Sequence, residues 1–330
     1  MMSPPGEFVI TVGSFDAGQR FDRVVSLYRS DCSRSFAATL IQDGHITIQN
    51  NIKKPGYRVK SGEKIQGCIP VYEPPSLIPE AIPLNILFED RHLIVIDKPG
   101  GLVVHPAPGN DTGTLVNGLL YHCPELGGIK AELRPGIVHR LDKDTTGTIV
   151  VAKNRLTLDN LSQQFKDRKV QKTYLALVHG VLGPESGNIS LPIGRHPVDR
   201  KKMSTVSAKG RDAETLWRVK VRYAAATLLE LELKTGRTHQ IRVHCTSMHH
   251  PIVGDGIYTY GKRGKKKRND TPLETLLKSA KRQMLHARHL CFTHPVERRS
   301  MSFTAPIPED MQRLMDGLAQ DAGDSQPDGG

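Results

Sequence analysis

Residues 135–153, Pro-Gly-Ile-Val-His-Arg-Leu-Asp-Lys-Asp-Thr-Thr-Gly-Thr-Ile-Val-Val-Ala-Lys, place the side chains best suited to chemistry in one short stretch. Asp142 and Asp144 supply carboxylates, and His139, Arg140 and Lys143 surround them with basic groups. A carboxylate held ionised can attack an electrophilic carbon or take a proton. On residue type alone the two aspartates are equal candidates. The same charges would also suit a self-neutralising surface hairpin.

The elements that must position these groups are legible around them. Ile137-Val138 and Thr148-Ile149-Val150-Val151 are apolar, β-branched runs bounded by Pro and Gly, which predicts two buried strands with the charges on a tight turn between them. Lys172–Gly180 reads as a strand carrying Tyr174, a residue that Leu175 and Leu177 would ordinarily make part of a core. Leu228–Leu233 is another strand, stopped at Thr235-Gly236. Thr238 is placed to cap a helix that buries Ile241, Cys245 and Met248. A metal site could be drawn from His239, His244, His249, His250 and Cys245. However, ligands on one helix face must stand three or four residues apart, and His239 and His244 do not. No metal is expected.

The chain has 330 residues, enough for two domains, and a formal net charge of +12. Such an excess attracts phosphate-rich partners, nucleic acid before membrane. Residues 195–222 alone hold nine Lys/Arg, including Lys201, Lys202 and Arg211, against three acids. A further run, 262–268, is too basic and too poor in apolar residues to fold alone. No apolar stretch is long enough to span a bilayer, and the N-terminus lacks the basic and apolar regions of a secretory signal. Five scattered cysteines without a C-x-x-C pair suit a reducing cytoplasm.

Two short helices are predicted over 21–31 and 35–44, the second capped by Ser33 or Ser35, followed by a strand at Ile46-Thr47-Ile48 and a turn at Asn50-Asn51. Arg20 and Arg34 give this unit a basic surface. Five prolines between Pro70 and Pro83 read as a semi-rigid linker. The run from Ser33-Arg34-Ser35 through Asp43-Gly44-His45-Ile46-Thr47-Ile48, with Lys54–Val59 and Ser61–Ile65 after it, resembles an S4-type RNA-binding domain. The expected boundaries are 16–70 for that domain, 71–83 for the linker, 84–318 for a second domain and 319–330 for a disordered tail.

In the second domain five motifs occur in order. They are Arg134–Asp142 with Thr146-Gly147, Lys172–Gly180, Gly236–His244, Gly254–Tyr258, and Leu285-His286-Ala287 with Phe292–Pro295. This ensemble resembles the RluA family of RNA pseudouridine synthases and, with the S4-like domain in front, its large-subunit (23S) ribosomal RNA members. The resemblance implies an α+β fold whose catalytic domain has a mixed, largely antiparallel central sheet. It also implies an isomerase that cuts the glycosidic N–C bond of a flipped-out uridine, turns the uracil and rejoins it through carbon. Asp142 is then the catalytic carboxylate, Arg242 its partner, and Tyr174 the ring packed on the uracil. An arginine beside a carboxylate favours its charged form. Arg140, with His139, fills the gap left in the RNA. His139, Arg140, Arg20, Ser33, Arg34, Lys201, Lys202, Arg211, His239 and Gln240 are the expected RNA contacts. The bond change is redox-neutral and needs no cofactor. The implied partner is large-subunit rRNA or a pre-ribosomal particle, met by a monomer in the cytoplasm. A non-catalytic RNA-binding or assembly factor would keep the basic surfaces without the chemistry.

Overall fold

The apolar patterning of the chain builds two separate cores. A computed structural model describes residues 7–29, 32–69, 77–107, 109–129, 134–199, 202–207, 209–259 and 271–323. Lys201 and the 262–268 run lie outside the described residues. Contacts divide the chain into Met1–Pro74 and Pro75–Gly330.

In the first unit β1 (Glu7–Thr11), α1 (Phe21–Tyr28), α2 (Arg34–Gln42), β2 (Ile46–Ile48) and β3 (Lys64–Cys68) follow in order. The strands form a sheet in the order β1-β3-β2. Phe21, Val24 and Val25 of α1 meet Ala37, Leu40 and Ile41 of α2 over Ile46, Ile48 and Ile65. The Ser33 hydroxyl caps α2, accepting from the Phe36 amide at 3.3 Å. Gln49 and Asn50 turn the chain with φ of 49° and 60°.

The second unit begins with β4 (Ile86–Glu89), β5 (Leu93–Lys98), α3 (Leu115–His122), β6 (Thr146–Ala152), α4 (Arg155–Lys166), β7 (Gln171–His179) and β8 (Ser186–Ser190). A short hairpin, β9 (Gly194–Arg195) and β10 (Met203–Ser204), precedes β11 (Glu214–Arg222), β12 (Ala226–Leu233) and α5 (Gln240–Ser247). Then come α6 (Pro272–Lys278), β13 (Leu285–Thr293), β14 (Ser300–Thr304) and α7 (Glu309–Gly323). The main sheet runs β4-β5-β6-β13-β7-β12-β11-β8, with β14 added to β13. Its pairs are antiparallel except β6 with β13. The fold is α+β, with a mixed, largely antiparallel sheet.

β6 is buried along its whole length, which explains its unbroken β-branched run. Gly147 has φ of 108°, and a Cβ there would stand 2.2 Å from the Ala287 carbonyl oxygen of β13. The Thr-Gly pair therefore lets the parallel strands meet at the base of the 138–145 loop.

Three expectations change. The segment before that loop is no strand: it meets β6 through an Ile137–Val151 bridge, the Ala152 amide's bond to the Gly136 carbonyl and the Val150 amide's bond to His139, and forms a wide loop rather than a tight hairpin. Residues 77–83 are no free linker. The Asn117 amide donates to the Ile78 carbonyl at 2.8 Å, and the Glu80 carboxylate accepts from the Gly113 amide at 2.9 Å, which ties them to α3. The final helix runs on to Gly323, past the expected end at Leu318, whose side chain is buried with those of Met311 and Leu314.

Candidate active site

The ends of β7, β12 and α5 and the 138–145 loop enclose a cavity of about 630 Å³. Asp142 is the one acid among the described residues lining it, while Arg134, Arg140, Lys166, Arg168, Arg211 and Arg237 are among the cations. The structure thus separates the two aspartates that residue type could not.

The loop is held from beneath. Lys98, at the end of β5, is fully buried, and its ammonium donates to the carbonyls of Pro99 (2.7 Å), Leu102 (2.9 Å) and Lys143 (2.9 Å). Burial pushes its pKa down to about 7, while three carbonyl acceptors favour the form with three protons. Arg282 donates to the Asp144 carbonyl at 3.2 Å and grips Asp310 of α7 with two 2.7 Å bonds. The Gln283 amide reaches the Thr145 hydroxyl at 3.3 Å. Asp144 thus contributes its backbone to the loop's support.

Arg242, on α5, is oriented from two sides. Its guanidinium makes a forked pair with Asp255, at 2.6 and 2.9 Å, and its remaining nitrogen donates to Asp142 at 3.1 Å. Asp255 is completely buried and also accepts from the amides of Ile257 and Tyr258. Burial opposes the charge on both partners, but the pair keeps the Asp255 pKa below and the Arg242 pKa above its ordinary value. Burial and the charge of Asp142 push the Tyr174 hydroxyl well above its usual pKa, so this nearly buried ring faces the cavity neutral.

His139 and Arg140, adjacent in sequence, separate in space. Arg140 is exposed at the cavity mouth. The His139 ring stacks on Phe165 with centroids 4.6 Å apart, and its Nε2 accepts from the Val150 amide at 3.0 Å. Burial and the Lys172 charge lower its pKa to about 3, so it is a neutral piece of wall rather than a companion to Arg140 in RNA. Gln240 also departs from the expected RNA contact. Its carbonyl accepts from the Thr235 hydroxyl and the Arg237 amide, and its NH₂ donates to the Glu214 carbonyl and the Thr215 hydroxyl. These bonds brace the 235–237 loop against β11.

Thr238 does not cap α5. His239 occupies that position with φ of 56° and no capping hydrogen bond, and its ring lines the cavity. The other residues of the suggested metal cluster face separate partners. His244 bonds the Thr215 hydroxyl and the Leu191 carbonyl, and His250 donates to the His179 carbonyl. Groups close enough to share an ion lie elsewhere among the described residues, at Glu89, His122 and Cys123 and at Asp90, His294 and Glu297. There Lys153 already pairs with Glu89 at 2.8 Å and His294 with Asp90 at 2.9 Å.

Arg211 lines the cavity, whereas Lys202 stands on the β9–β10 hairpin beside a second, smaller cavity, 3.9 Å from Asp199. In the first unit, Arg20 grips Asp22 at 2.7 and 3.1 Å, and Arg34 lies 3.4 Å from the same carboxylate. The sequence reading missed Asp22 as the anchor of both arginines.

The sequence pattern of the RNA pseudouridylate synthase family matches residues 92–247, the span that holds Asp142, Tyr174 and Arg242, and that of the S4 domain matches residues 19–65. A ribosomal large subunit pseudouridine synthase D of Xanthomonas campestris is 44% identical over 306 residues, covering 93% of this chain and 91% of its own. The chain belongs to the RNA pseudouridine synthase family. The synthase is also 39% identical to an uncharacterized RNA pseudouridine synthase of Bacillus subtilis, over 94% of this chain and 97% of the relative. The solved structure of human RNA pseudouridylate synthase domain containing 4 matches it with a TM-score of 0.56 and 29% identity, over 71% of this chain and 93% of the human one. The synthase is therefore an isomerase with an S4 domain ahead of its catalytic domain. No helix among its described residues is long and apolar enough to cross a membrane.

Proposed function

We propose that the synthase isomerises uridines of large-subunit ribosomal RNA, with Asp142 as the catalytic carboxylate. The observation that carries this reading is the isolation of Asp142, the sole acid among described residues lining a cation-rich cavity, bound to an arginine that Asp255 fixes from behind. The Xanthomonas relative's name supports the substrate class. Extruding the target nucleotide costs a few kcal/mol. Arg140 is exposed at the mouth and suited to fill the vacated place, and Tyr174 offers a flat neutral face for the uracil. Stacking a base on an aromatic ring is worth about 1–3 kcal/mol, of the order of the flipping cost.

Arg134, Lys166, Arg168, Arg211 and Arg237 surround the cavity as candidates for RNA phosphates. Arg20 and Arg34 in the S4 domain give the synthase a second grip. The expected arrangement is an RNA-binding domain over 16–70 and a catalytic domain over 84–318, acting as a monomer in the cytoplasm. The isomerisation leaves the oxidation state unchanged and calls for no cofactor.

The test is Asp142→Asn. This variant should bind a large-subunit rRNA transcript as tightly as the wild type and form no pseudouridine on chemical mapping. Pseudouridine at the wild-type level would remove Asp142 from the chemistry.

A further inference from the structure

His239 lines the cavity with a left-handed backbone and a ring bonded on one side. Its backbone occupies the left-handed region, with φ of 56°, which few non-glycine residues adopt, histidine more often than most, and which clusters at functional sites. The ring meets Tyr258 edge-on with centroids 5.6 Å apart, and Nδ1 lies 2.8 Å from the Tyr258 hydroxyl.

The proton on that ring can be placed by elimination. The Met203 amide can only donate, and it does so to the Tyr258 oxygen at 2.8 Å. The nearly buried hydroxyl has no other acceptor among the described residues, so it sends its own hydrogen to His239 Nδ1, which accepts. The imidazole proton is therefore on Nε2, which points at Asp142 from 3.9 Å. The opposite tautomer would aim a lone pair at a carboxylate. That separation is too long for a hydrogen bond, so the N–H is directed into the cavity without an acceptor among the described residues. Burial lowers the His239 pKa. Among its charged neighbours Asp142 and Asp255 oppose this, while Arg242 and Arg140 reinforce it.

We propose that His239 is a catalytic hydrogen-bond donor, its Nε2–H fixed in that tautomer by Tyr258 and holding a carbonyl oxygen of the uracil while the base is detached. The inference rests on Asp142 acting at the same nucleotide. As the N1–C1′ bond breaks, its electron pair passes into the uracil ring and is shared with O2 and O4. The electron-poor C1′ faces Asp142. His239 keeps its proton while the ring makes a half-turn about its N3–C6 axis, which brings C5 to C1′ and O4 into the place O2 held, so the N–H meets a carbonyl oxygen before and after the turn. C5 bonds C1′ and gives its proton to water, and N1 takes one from water.

The experiment measures single-turnover tritium release from a large-subunit rRNA transcript carrying 5-tritiated uridine. His239→Phe keeps the ring and removes the donor; losing one such donor should slow the reaction by about 10²–10³-fold, with RNA affinity unchanged. His239→Gln offers an amide N–H near the Nε2 position and should recover at least tenfold of that loss. Equal rates for Phe and Gln would reduce His239 to a structural part, and a wild-type rate for Phe would end the proposal. A ¹⁵N-histidine spectrum of the wild-type protein decides independently of any variant's folding: a proton found on Nδ1 overturns the assignment. Activity surviving in Asp142→Asn would sink the Asp142 reading instead, leaving the His239 tautomer to stand or fall on its own spectrum.

Discussion

Arg242 owes its position to Asp255. Two charges in a nearly dry site are stable only while paired, and breaking a buried pair from one side costs about 3–5 kcal/mol. Asp255→Asn keeps the shape but removes the charge, so the guanidinium loses its rear anchor and leans wholly on Asp142. The variant should lose about 3 kcal/mol in urea melts and turn over more slowly at saturating RNA. An unchanged turnover number would mean that the fork does not set the geometry at Asp142. The linkage has a definite sign. The folded pKa of Asp255 is depressed, so its contribution is complete above the unfolded carboxylate value near 3.8 and fades as pH falls below it. Asp142, Tyr174 and Arg242 were legible as types within recognisable motifs. The Gly254–Tyr258 motif was visible too, but its work was not, because Asp255 acts through a buried fork and Tyr258 through the proton it gives His239. Gln240 misled in the opposite direction: a polar residue among arginines reads as an RNA contact, and only the fold shows its amide already engaged on both sides.

At the scale of the element, the 138–145 loop is rigid because distant residues hold its backbone. Lys98 reaches it across 45 positions of sequence and Arg282 across 138, and neither bond follows any local periodicity. That is why the strand after the loop could be read from its β-branched run, while the width of the loop could not. Removing the ammonium in Lys98→Met strands three carbonyls, each of which costs about 1–3 kcal/mol when buried without a partner. The variant should unfold at lower urea by about 3 kcal/mol or more, and intact stability would show that water replaces the lysine. The pH dependence also follows. With a folded pKa near 7 and an ordinary lysine value of 10.5 in the unfolded chain, the unfolded state binds more protons between those values. The wild type should therefore gain stability over Lys98→Met as pH rises from 7 to 9. A difference that stays flat or narrows would reverse the sign assigned to the buried charge.

At the scale of the molecule, a net charge of +12 announced a polyanionic partner, and the structure gives that charge a distribution. Some of its cations line the cavity and others stand on the S4 unit, with acids placed behind several of them: Asp22 behind Arg20 and Arg34, Asp255 behind Arg242. Composition could count these charges but could not tell an anchored arginine from a solvated one. Each unit carries its own core, Phe21 to Ile65 in the first and the long sheet in the second, so deleting residues 1–74 should leave the catalytic unit folded. Binding that depends on phosphates weakens with salt in proportion to the contacts made, by about 0.7 in log–log slope for each contact with single-stranded nucleic acid. If the first unit supplies a grip through Arg20 and Arg34, the deletion should lower affinity for the rRNA transcript. It should also flatten the salt dependence by about 1–2 in slope, with pseudouridine still formed at saturating RNA. Affinity and slope matching the full chain would deny the S4 unit any share in holding RNA and leave the cavity's own rim to do it.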